Sequence, residues 1–204
     1  DGGKPSRFRY NIPTRDGREM HVGNTPHINP GPDDTFTSYD LPWANASNTP
    51  FRLYKHWVHE GGIATPLIAR WPARFSAGNL AHDPAHVIDI MPTCLDAAGA
   101  SYPSEFNGHT ITPLEGVSLI SAFQGNALQR PQMIFWEHEG NRAVRQDNWK
   151  LVSQFPGAWE LYDMNEDRTE GNNLVDSNAG KMQELKKAYR EWTERCDVVD
   201  WATL

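Results

Sequence analysis

The 204-residue sequence predicts an α/β fold that ends in a small antiparallel sheet backed by one helix. An apolar run at residues 63–71 is typical of a buried strand. Apolar residues spaced three and four apart at residues 87–98 indicate a helix. Short segments rich in aromatic and β-branched side chains, separated by turn residues, indicate strands within residues 133–162.

Residues 1–50 are rich in Pro, Gly, Asn and Asp and have little apolar periodicity, so we expect a long loop. Loops of this length inside a compact domain are uncommon unless they serve a function. This one directly precedes a lysine motif, so it either lines the mouth of a substrate pocket or packs as a surface insertion. Tyr39 and Trp43 are candidates for stacking on an aromatic substrate or for anchoring the loop itself.

The lysine motif places Lys55 five positions before a Glu-Gly-Gly turn at residues 60–62. Paired glycines let the backbone turn sharply and approach a neighbour closely. Pro66 confines the apolar run that follows to an edge or irregular strand. Because open α/β sheets bind ligands beyond their strand ends, a lysine near such an end is well placed to reach into a cleft.

Two other interpretations of this motif stay open on spacing alone. Most lysines are solvated surface charges, and Lys55 fits that description as well. A metal site is the other, since His56, His59 and Glu60 could share one helical face. The zinc-protease pattern His-Glu-x-x-His is not met, because residue 63 is Ile.

The predicted helix at residues 87–98 has a clear apolar face. That face consists of Val87, Ile90, Met91, Cys94, Leu95 and Ala98. Gly99 follows as the expected C-cap, and Pro92 is expected to kink the helix or to mark its restart. We expect Cys94 to be a small buried hydrophobic residue, and Asp89 to be a buried hydrogen-bonding carboxylate or a cap rather than a catalytic group.

The C-terminal zone is predicted to form four short strands and one helix. The strands are expected at residues 133–137, 142–145, 149–153 and 159–162. Residues 147–148, Asp-Asn, suit a hairpin turn between the second and third strands. The helix is expected at residues 181–195, with one apolar stripe made of Met182, Leu185, Tyr189, Trp192 and Cys196.

Composition excludes several classes of protein. The net charge of −7 and the lack of a basic stripe disfavour general nucleic-acid binding. No apolar run approaches the ~20 residues that a transmembrane helix needs. The two cysteines, Cys94 and Cys196, are too few for a disulfide framework.

Seven segments, in this order and spacing, resemble the type I sulfatases, most closely the arylsulfatases. They are NTPFR (48–52), YKHWVHEGGIATPLI (54–68), VIDIMPTCLDAAG (87–99), GVSL (116–119), NRAVR (141–145), WKLV (149–152) and WELYD (159–163). The resemblance covers roughly residues 35–195 and implies part of an alkaline-phosphatase-like central sheet with helices. Residues 1–125 would belong to the sulfatase α/β domain and residues 126–204 to its C-terminal α+β subdomain.

The resemblance also implies roles for individual residues. Lys55 would be catalytic and would contact the sulfate of a small sulfate ester, with an aryl sulfate as the expected substrate. His138 would reach the pocket rim and bind substrate, and Asp1 would be a remnant of the segment that supplies calcium ligands in the family. The family's cofactor is calcium, and its nucleophile is a formylglycine made from Cys or Ser.

The sequence departs from the family in one respect that matters for activity. Neither cysteine begins the nucleophile motif Cys/Ser-x-Pro-x-Arg, and the nearest match, SYPSE at residues 101–105, has Glu in place of Arg. We therefore expect this chain to be the C-terminal part of a longer enzyme and to be inactive alone. Two rival interpretations remain, a related phosphodiesterase or phosphonate hydrolase and a non-catalytic binding module, and the upstream reading frame would discriminate between them.

Overall fold

The computed structural model describes residues 13–38 and 40–204. These residues divide into two compact units, one made of the chain up to Thr65 together with Phe135–Leu204, and the other of Pro66–Ile134. None of the helices in the described part combines the length and the apolar character that a bilayer span requires. The predicted boundary at residue 125 concerns the domains of a longer enzyme and stays a prediction.

The N-terminal part of the first unit contains two short helices and a minimal strand pair. Its elements are β1 (His21–Val22), β2 (Thr35–Phe36), α1 (Asp40–Asn48) and α2 (Glu60–Ile63), with β1 and β2 parallel. The expected loop over residues 1–50 is therefore wrong at α1. The Asn45 amide donates to the Leu41 carbonyl at 3.0 Å and Ala44 is buried, so local hydrogen bonding and one apolar contact stabilise a helix that lacks apolar periodicity.

The second unit contains the predicted apolar helix. Its elements are a 3-10 helix (Val87–Asp89), α3 (Ile90–Ala98), β3 (Glu105–Phe106), β4 (His109–Thr110) and α4 (Ile120–Phe123). Gly99 caps α3, as predicted. Its φ of 65° lies in the left-handed region, which commonly ends a helix and which glycine adopts without steric cost. Pro92 lies in the first turn of α3, where no hydrogen bond from its nitrogen is needed, so the prediction of a restart is confirmed.

Asp89 is fully buried and plays the hydrogen-bonding role expected of it. Its carboxylate accepts hydrogen bonds from the backbone of His86 at 2.7 Å and of Val117 at 2.9 Å, and it pairs with Arg130. Gly116 precedes this contact, and a Cβ there would lie 2.1 Å from the Ile88 carbonyl oxygen. The GVSL segment is thus a packing site for the start of the helix.

Two expectations for the second unit are wrong. The run at residues 63–71 is not a buried strand, because Ile63 ends α2 and the following residues form no helix or strand, with Leu67 58% and Ile68 91% exposed. The apolar face predicted for residues 87–98 is also exposed, at Val87 in the 3-10 helix and at Ile90 and Met91 in α3, and so is Cys94. Apolar periodicity predicted the helix, but it does not say what covers the face.

The C-terminal sheet confirms the predicted small antiparallel sheet backed by a helix. Its elements are β5 (Ile134–His138), β6 (Asn141–Gln146), β7 (Trp149–Ser153), β8 (Glu160–Asp163), α5 (Ala179–Arg195) and a 3-10 helix (Trp201–Thr203). The strands follow the order β5-β6-β7-β8. Asp147 adopts φ 52° in the predicted turn, and Leu185 and Tyr189 of α5 are buried while Cys196 is exposed, contrary to expectation.

Candidate functional site

Lys55 lies in a turn before α2 rather than at the end of a strand, which corrects the expected position. The Trp57 amide donates to the Tyr54 carbonyl across this turn at 3.2 Å, and His56 adopts φ 108°. The Lys55 side chain is exposed, whereas Val58, His59 and Glu60 immediately after it are buried. The lysine therefore projects from a turn whose next residues are fixed in the core.

The Glu-Gly-Gly segment is required by close backbone packing around this turn. A Cβ on Gly61 would lie 2.2 Å from the Leu53 carbonyl oxygen, and one on Gly62 would lie 1.9 Å from that of Trp57. Carbonyl oxygens of the backbone cannot move aside as a flexible side chain can. Both positions consequently need glycine for space, although neither adopts a positive φ.

A buried group of charges holds Glu60 against the C-terminal sheet. Lys150 of β7 is fully buried, and its Nζ donates to Glu60 Oε1 at 3.0 Å and lies 2.8 Å from Glu170 Oε1. Glu170 Oε2 accepts a hydrogen bond from the Glu60 amide at 2.9 Å, and Arg168 Nη2 donates to Glu60 Oε2 at 3.0 Å. Two carboxylates face two cations, so the group carries no uncompensated charge, as burial requires.

The pKa of Glu60 reflects this balance. Burial alone acts to raise the pKa of its carboxyl, but Lys150 and Arg168 outweigh burial and lower it. The charged form is thereby the stable one. We refer to Glu60, Lys150, Glu170 and Arg168 as the charge network, in which the first three residues are buried and Arg168 is half-exposed.

A second polar group centred on Glu160 of β8 fixes His59. His59 Nε2 lies 3.4 Å from Glu160 Oε2, which also accepts from the Tyr162 hydroxyl at 2.6 Å and from Arg52 Nη1 at 3.2 Å. The hydrogen bond from His59, together with those from Tyr162 and the charge of Arg52, lowers the pKa of Glu160 to about 2. Burial and the bond to Glu160 raise the pKa of Tyr162. Both residues on either side of the lysine turn, Arg52 and His59, are thus tied to one strand.

His138, the other residue expected at the site, lies beside His56. The centroids of the two imidazole rings are 5.6 Å apart, and the ring planes meet at 74°. His56 Nδ1 lies 2.8 Å from Glu139 Oε2, with both side chains more than two-fifths exposed. His56 directly follows Lys55 in the chain, so His138 lies close to the lysine turn. Its expected role at the pocket rim stays a prediction.

The metal site suggested from spacing alone does not form as expected. Glu60 is committed to Lys150 and Arg168, and His59 to Glu160. Over residues 13–38 and 40–204, the group close enough to share an ion is instead His56, His138 and Glu139. Two nitrogens and one carboxylate do not suit calcium, which takes six to eight oxygen ligands. Asp1 and Tyr39 lie outside the described residues, and Trp43 is exposed on α1.

Sequence reasoning missed the residues that hold the site, namely Lys150, Glu160, Glu170 and Glu139. One signal was available, because Lys150 interrupts a strand otherwise made of Trp, Leu, Val and Ser. A lysine there must either face solvent or find buried carboxylates. Its partner Glu60 is 90 residues away in the chain, which no local pattern reveals.

Comparison with known proteins identifies the family. Residues 51–196 match the family described as N-sulphoglucosamine sulphohydrolase, C-terminal. An uncharacterized sulfatase of Schizosaccharomyces pombe is 32% identical over 178 residues, which cover 84% of this chain and 32% of that protein. The N-acetylgalactosamine-6-sulfatase of Rattus norvegicus is 31% identical over 137 residues, covering 65% of this chain and 24% of the relative.

A solved structure supports the fold, and the chain spans only part of each relative. The crystal structure of Ps i-CgsB is 25% identical with a TM-score of 0.56, and the match covers 72% of this chain and 32% of that one. This neighbour and the curated relatives are each matched over about a third of their length or less. The predicted fold class, part of an alkaline-phosphatase-like sulfatase fold, is confirmed. The chain belongs to the sulfatase C-terminal family described for N-sulphoglucosamine sulphohydrolase.

Proposed function

We propose that this chain is the C-terminal part of a sulfatase that hydrolyses sulfate monoesters to an alcohol or phenol and sulfate. The observation that carries the proposal is the placement of Lys55. It is an exposed lysine on a turn whose flanking residues, Arg52, His59 and Glu60, are tied by hydrogen bonds to the C-terminal sheet. A site that stabilises transition-state charge needs such a preorganised donor.

The chemistry assigned to Lys55 follows from the charge of the substrate. A sulfate monoester carries one negative charge, and cleavage of its S–O bond places further charge on the leaving oxygen. A positioned ammonium stabilises that charge most strongly where water is scarce. Lysine suits this role because its ammonium is compact and offers three donors. We assign the sulfate and the leaving oxygen as the groups that Lys55 contacts.

His138 is proposed to contact substrate at the edge of the same site. It is exposed, it stacks edge-on against His56, and Asn141 accounts for its backbone carbonyl by donating a hydrogen bond to it at 3.0 Å. Because His138 is exposed, its imidazole can contact a hydroxyl or an oxyanion of a ligand. The proposed role is binding, and it does not include proton transfer.

The nucleophile and most of the calcium ligands are assigned to residues outside this sequence, with Asp1 kept as a candidate remnant of the ligand segment. The sequence has no Cys/Ser-x-Pro-x-Arg segment for formylglycine, and the donors of the described residues do not suit calcium. Calcium, when bound in the parent enzyme, would offset the negative charge of the sulfate. We accordingly propose that the purified 204-residue chain has no sulfatase activity by itself. Turnover of an aryl sulfate above a blank preparation would contradict this.

Two observations favour different alcohol groups for the sulfate ester. The family resemblance favours an aryl sulfate, whereas several relatives are named N-acetylgalactosamine-6-sulfatase, which favours a sulfated amino sugar. The two ester types share the sulfate group that Lys55 would contact. They differ in the apolar or hydroxyl-rich group that would face His138.

The test is a substrate panel on the parent enzyme, the longer reading frame that carries this chain. It compares an aryl sulfate, a 6-sulfated N-acetylgalactosamine, an aryl phosphate diester and an aryl phosphonate ester at equal concentration. We expect a sulfate ester to give the highest kcat/KM and the reading frame to contain Cys/Ser-x-Pro-x-Arg. A preference for the phosphonate or the diester would assign the chain to a related hydrolase. No turnover of any ester would favour a non-catalytic binding module.

A further inference from the structure

The cluster of His56, His138 and Glu139 has the composition of a transition-metal site. Each residue offers one ligand atom, and the three atoms lie within 4.8 Å of one another. His56 Nδ1 and Glu139 Oε2 are 2.8 Å apart. All three side chains reach solvent, so an ion could enter without any opening of the core.

The buried side chain of Asn141 fixes the backbone at His56 and His138. This residue is 2% exposed, and its side-chain amide donates to the His56 carbonyl at 3.3 Å and to the His138 carbonyl at 3.0 Å. Its Oδ1 accepts a hydrogen bond from the Phe155 amide at 3.1 Å. One buried side chain thereby joins the lysine turn to the β5–β6 turn. The two histidines are held together by the fold and not only by their exposed rings.

Two of the three residues have a backbone conformation with positive φ. His56 adopts φ 108° and Glu139 φ 51°, both in the left-handed region that non-glycine residues seldom occupy. Trp57 packs edge-on against the His56 ring with centroids 5.0 Å apart. For Glu139 the hairpin turn explains this conformation, because Glu139 and Gly140 both have positive φ in the two-residue loop between β5 and β6. His56 has no such explanation, and conformations of this kind concentrate at functional sites.

We propose that His56, His138 and Glu139 bind a divalent transition-metal ion such as Zn²⁺, with solvent or a ligand at the fourth position. Two imidazoles and one carboxylate form the donor set of open zinc sites. Metal–ligand distances of about 2.0–2.1 Å in tetrahedral geometry place donor atoms roughly 3.3 Å apart. The pair of His56 and Glu139 would open by about half an ångström, and the other separations, which are within 4.8 Å, would adjust by rotation of exposed side chains.

The proposed ion is distinct from calcium and does not depend on the sulfatase proposal. Calcium prefers oxygen ligands, whereas imidazole nitrogen suits Zn²⁺, Cu²⁺ and Ni²⁺. The site consists of residues of this chain alone, so the binding can be measured without turnover. Failure of metal binding would leave the role of Lys55 unaffected, and an inactive parent enzyme would leave the metal site unaffected.

The test is a titration of the purified chain with Zn²⁺, after a chelator has removed bound metal, and the heat of binding is measured by calorimetry. Cys94 and Cys196 are exposed free thiols that bind zinc themselves, so the reference protein carries Cys94→Ser and Cys196→Ser. We expect one saturable Zn²⁺ per chain, no competition from excess Ca²⁺, and visible absorption bands of a low-coordinate ion when Co²⁺ replaces Zn²⁺.

Variants decide whether the bound ion lies at this cluster. His138→Gln should weaken Zn²⁺ binding by more than about 100-fold, beyond the 10–100-fold typical of losing an outer-shell partner. The matched control is His109→Gln, an exposed histidine on β4, which should bind as the reference does. Should His138→Gln fail to fold, as judged by its circular dichroism, Glu139→Gln serves instead. Unchanged binding in the folded variant, or no saturable site in the reference protein, would overturn the proposal.

Discussion

The lysine turn and the helical segment at residues 87–98 differ in which side chains they bury and which they expose. Around the lysine turn, charged side chains are buried, with Lys150 and Glu170 essentially inaccessible and Glu60 nearly so. In the unit Pro66–Ile134, apolar side chains are exposed, with Val87 70% and Met91 54% accessible. The first pattern holds the turn that carries Lys55. The second leaves an apolar helix face that the described residues do not cover.

This difference indicates which positions the fold must hold in place and which surface is left for contact with another part of a protein. Burying a charge costs several kcal/mol unless geometry and partners are good, so a four-charge network marks a position that must be held. An exposed apolar face is typical of a surface that another part of a protein covers. Five predictions test this difference between buried charge and exposed apolar surface, ordered from the largest expected effect on stability to the smallest.

Removing the buried cation should have the largest effect. Lys150→Met leaves Glu60 and Glu170 facing each other without their shared partner, so the free energy of unfolding should fall by about 3–5 kcal/mol. Urea unfolding at low protein concentration, followed by tryptophan fluorescence, measures it. The control is Lys187→Met, whose exposed pair with Glu191 should contribute less than about 1 kcal/mol. Equal losses in the two variants would show that the network does not hold the turn.

Filling the space beside the turn should have the next largest effect. Gly62→Ala places a Cβ 1.9 Å from the Trp57 carbonyl oxygen, and the forced backbone shift should cost about 1–3 kcal/mol in unfolding free energy. Gly180→Ala in α5 is the matched control, because nothing lies within 4 Å of its Cβ, and it should be neutral or stabilising. A neutral Gly62→Ala would contradict the close packing described for the turn.

Acid should weaken the first unit through Glu160. Its pKa is about 2 in the folded chain against a usual 4.5, so its stabilising contribution is complete above about pH 5. That contribution is lost as the pH falls from 4.5 toward 2, because the unfolded state then binds the proton more readily. The stability difference between the native chain and Glu160→Gln should therefore shrink over this range. A difference that stays constant from pH 6 to pH 2.5 would contradict the assignment.

The exposed face of α3 should tolerate truncation. Met91→Ala removes no buried contact, so the free energy of unfolding should change by less than about 0.5 kcal/mol. Leu185→Ala in the buried stripe of α5 is the comparison, and it should lose about 2–5 kcal/mol. Light scattering should also show that the native chain associates, and that Met91→Ala associates less. A sharp melt of a monomer in both proteins would favour an independent binding module.

The sequence predicted the elements whose signals are local. The strands at residues 141–146 and 149–153, the turn at Asp147 and the helix ending at Gly99 follow from alternation, turn residues and capping, and the structure has them. The strand expected at residues 63–71 is wrong because apolar composition cannot tell a buried run from one left exposed. The fold therefore was predictable where neighbours along the chain decide it.

The site was predictable only in part, for a related reason. Lys55 and His138 came from motifs, and the structure places His138 beside His56, the residue after Lys55. The residues that hold them pair across 85 to 110 positions, as His56 does with Asn141 and Glu60 with Glu170. Such pairs depend on the tertiary arrangement, and a single sequence contains no local signal for them.

The measurement that tests the central claim most directly is kcat of the parent enzyme with Lys55→Ala, together with its melting temperature. Loss of one preorganised electrostatic donor should lower kcat by about 10²–10³-fold. The melting temperature should stay the same, because the Lys55 side chain is exposed. Lys55→Arg should not restore the rate, since a planar guanidinium presents its donors differently. Lys186→Ala, an exposed lysine on α5, is the control and should keep full activity. Near-normal kcat in Lys55→Ala with an unchanged melting temperature would show that Lys55 is only a surface residue and would contradict the account.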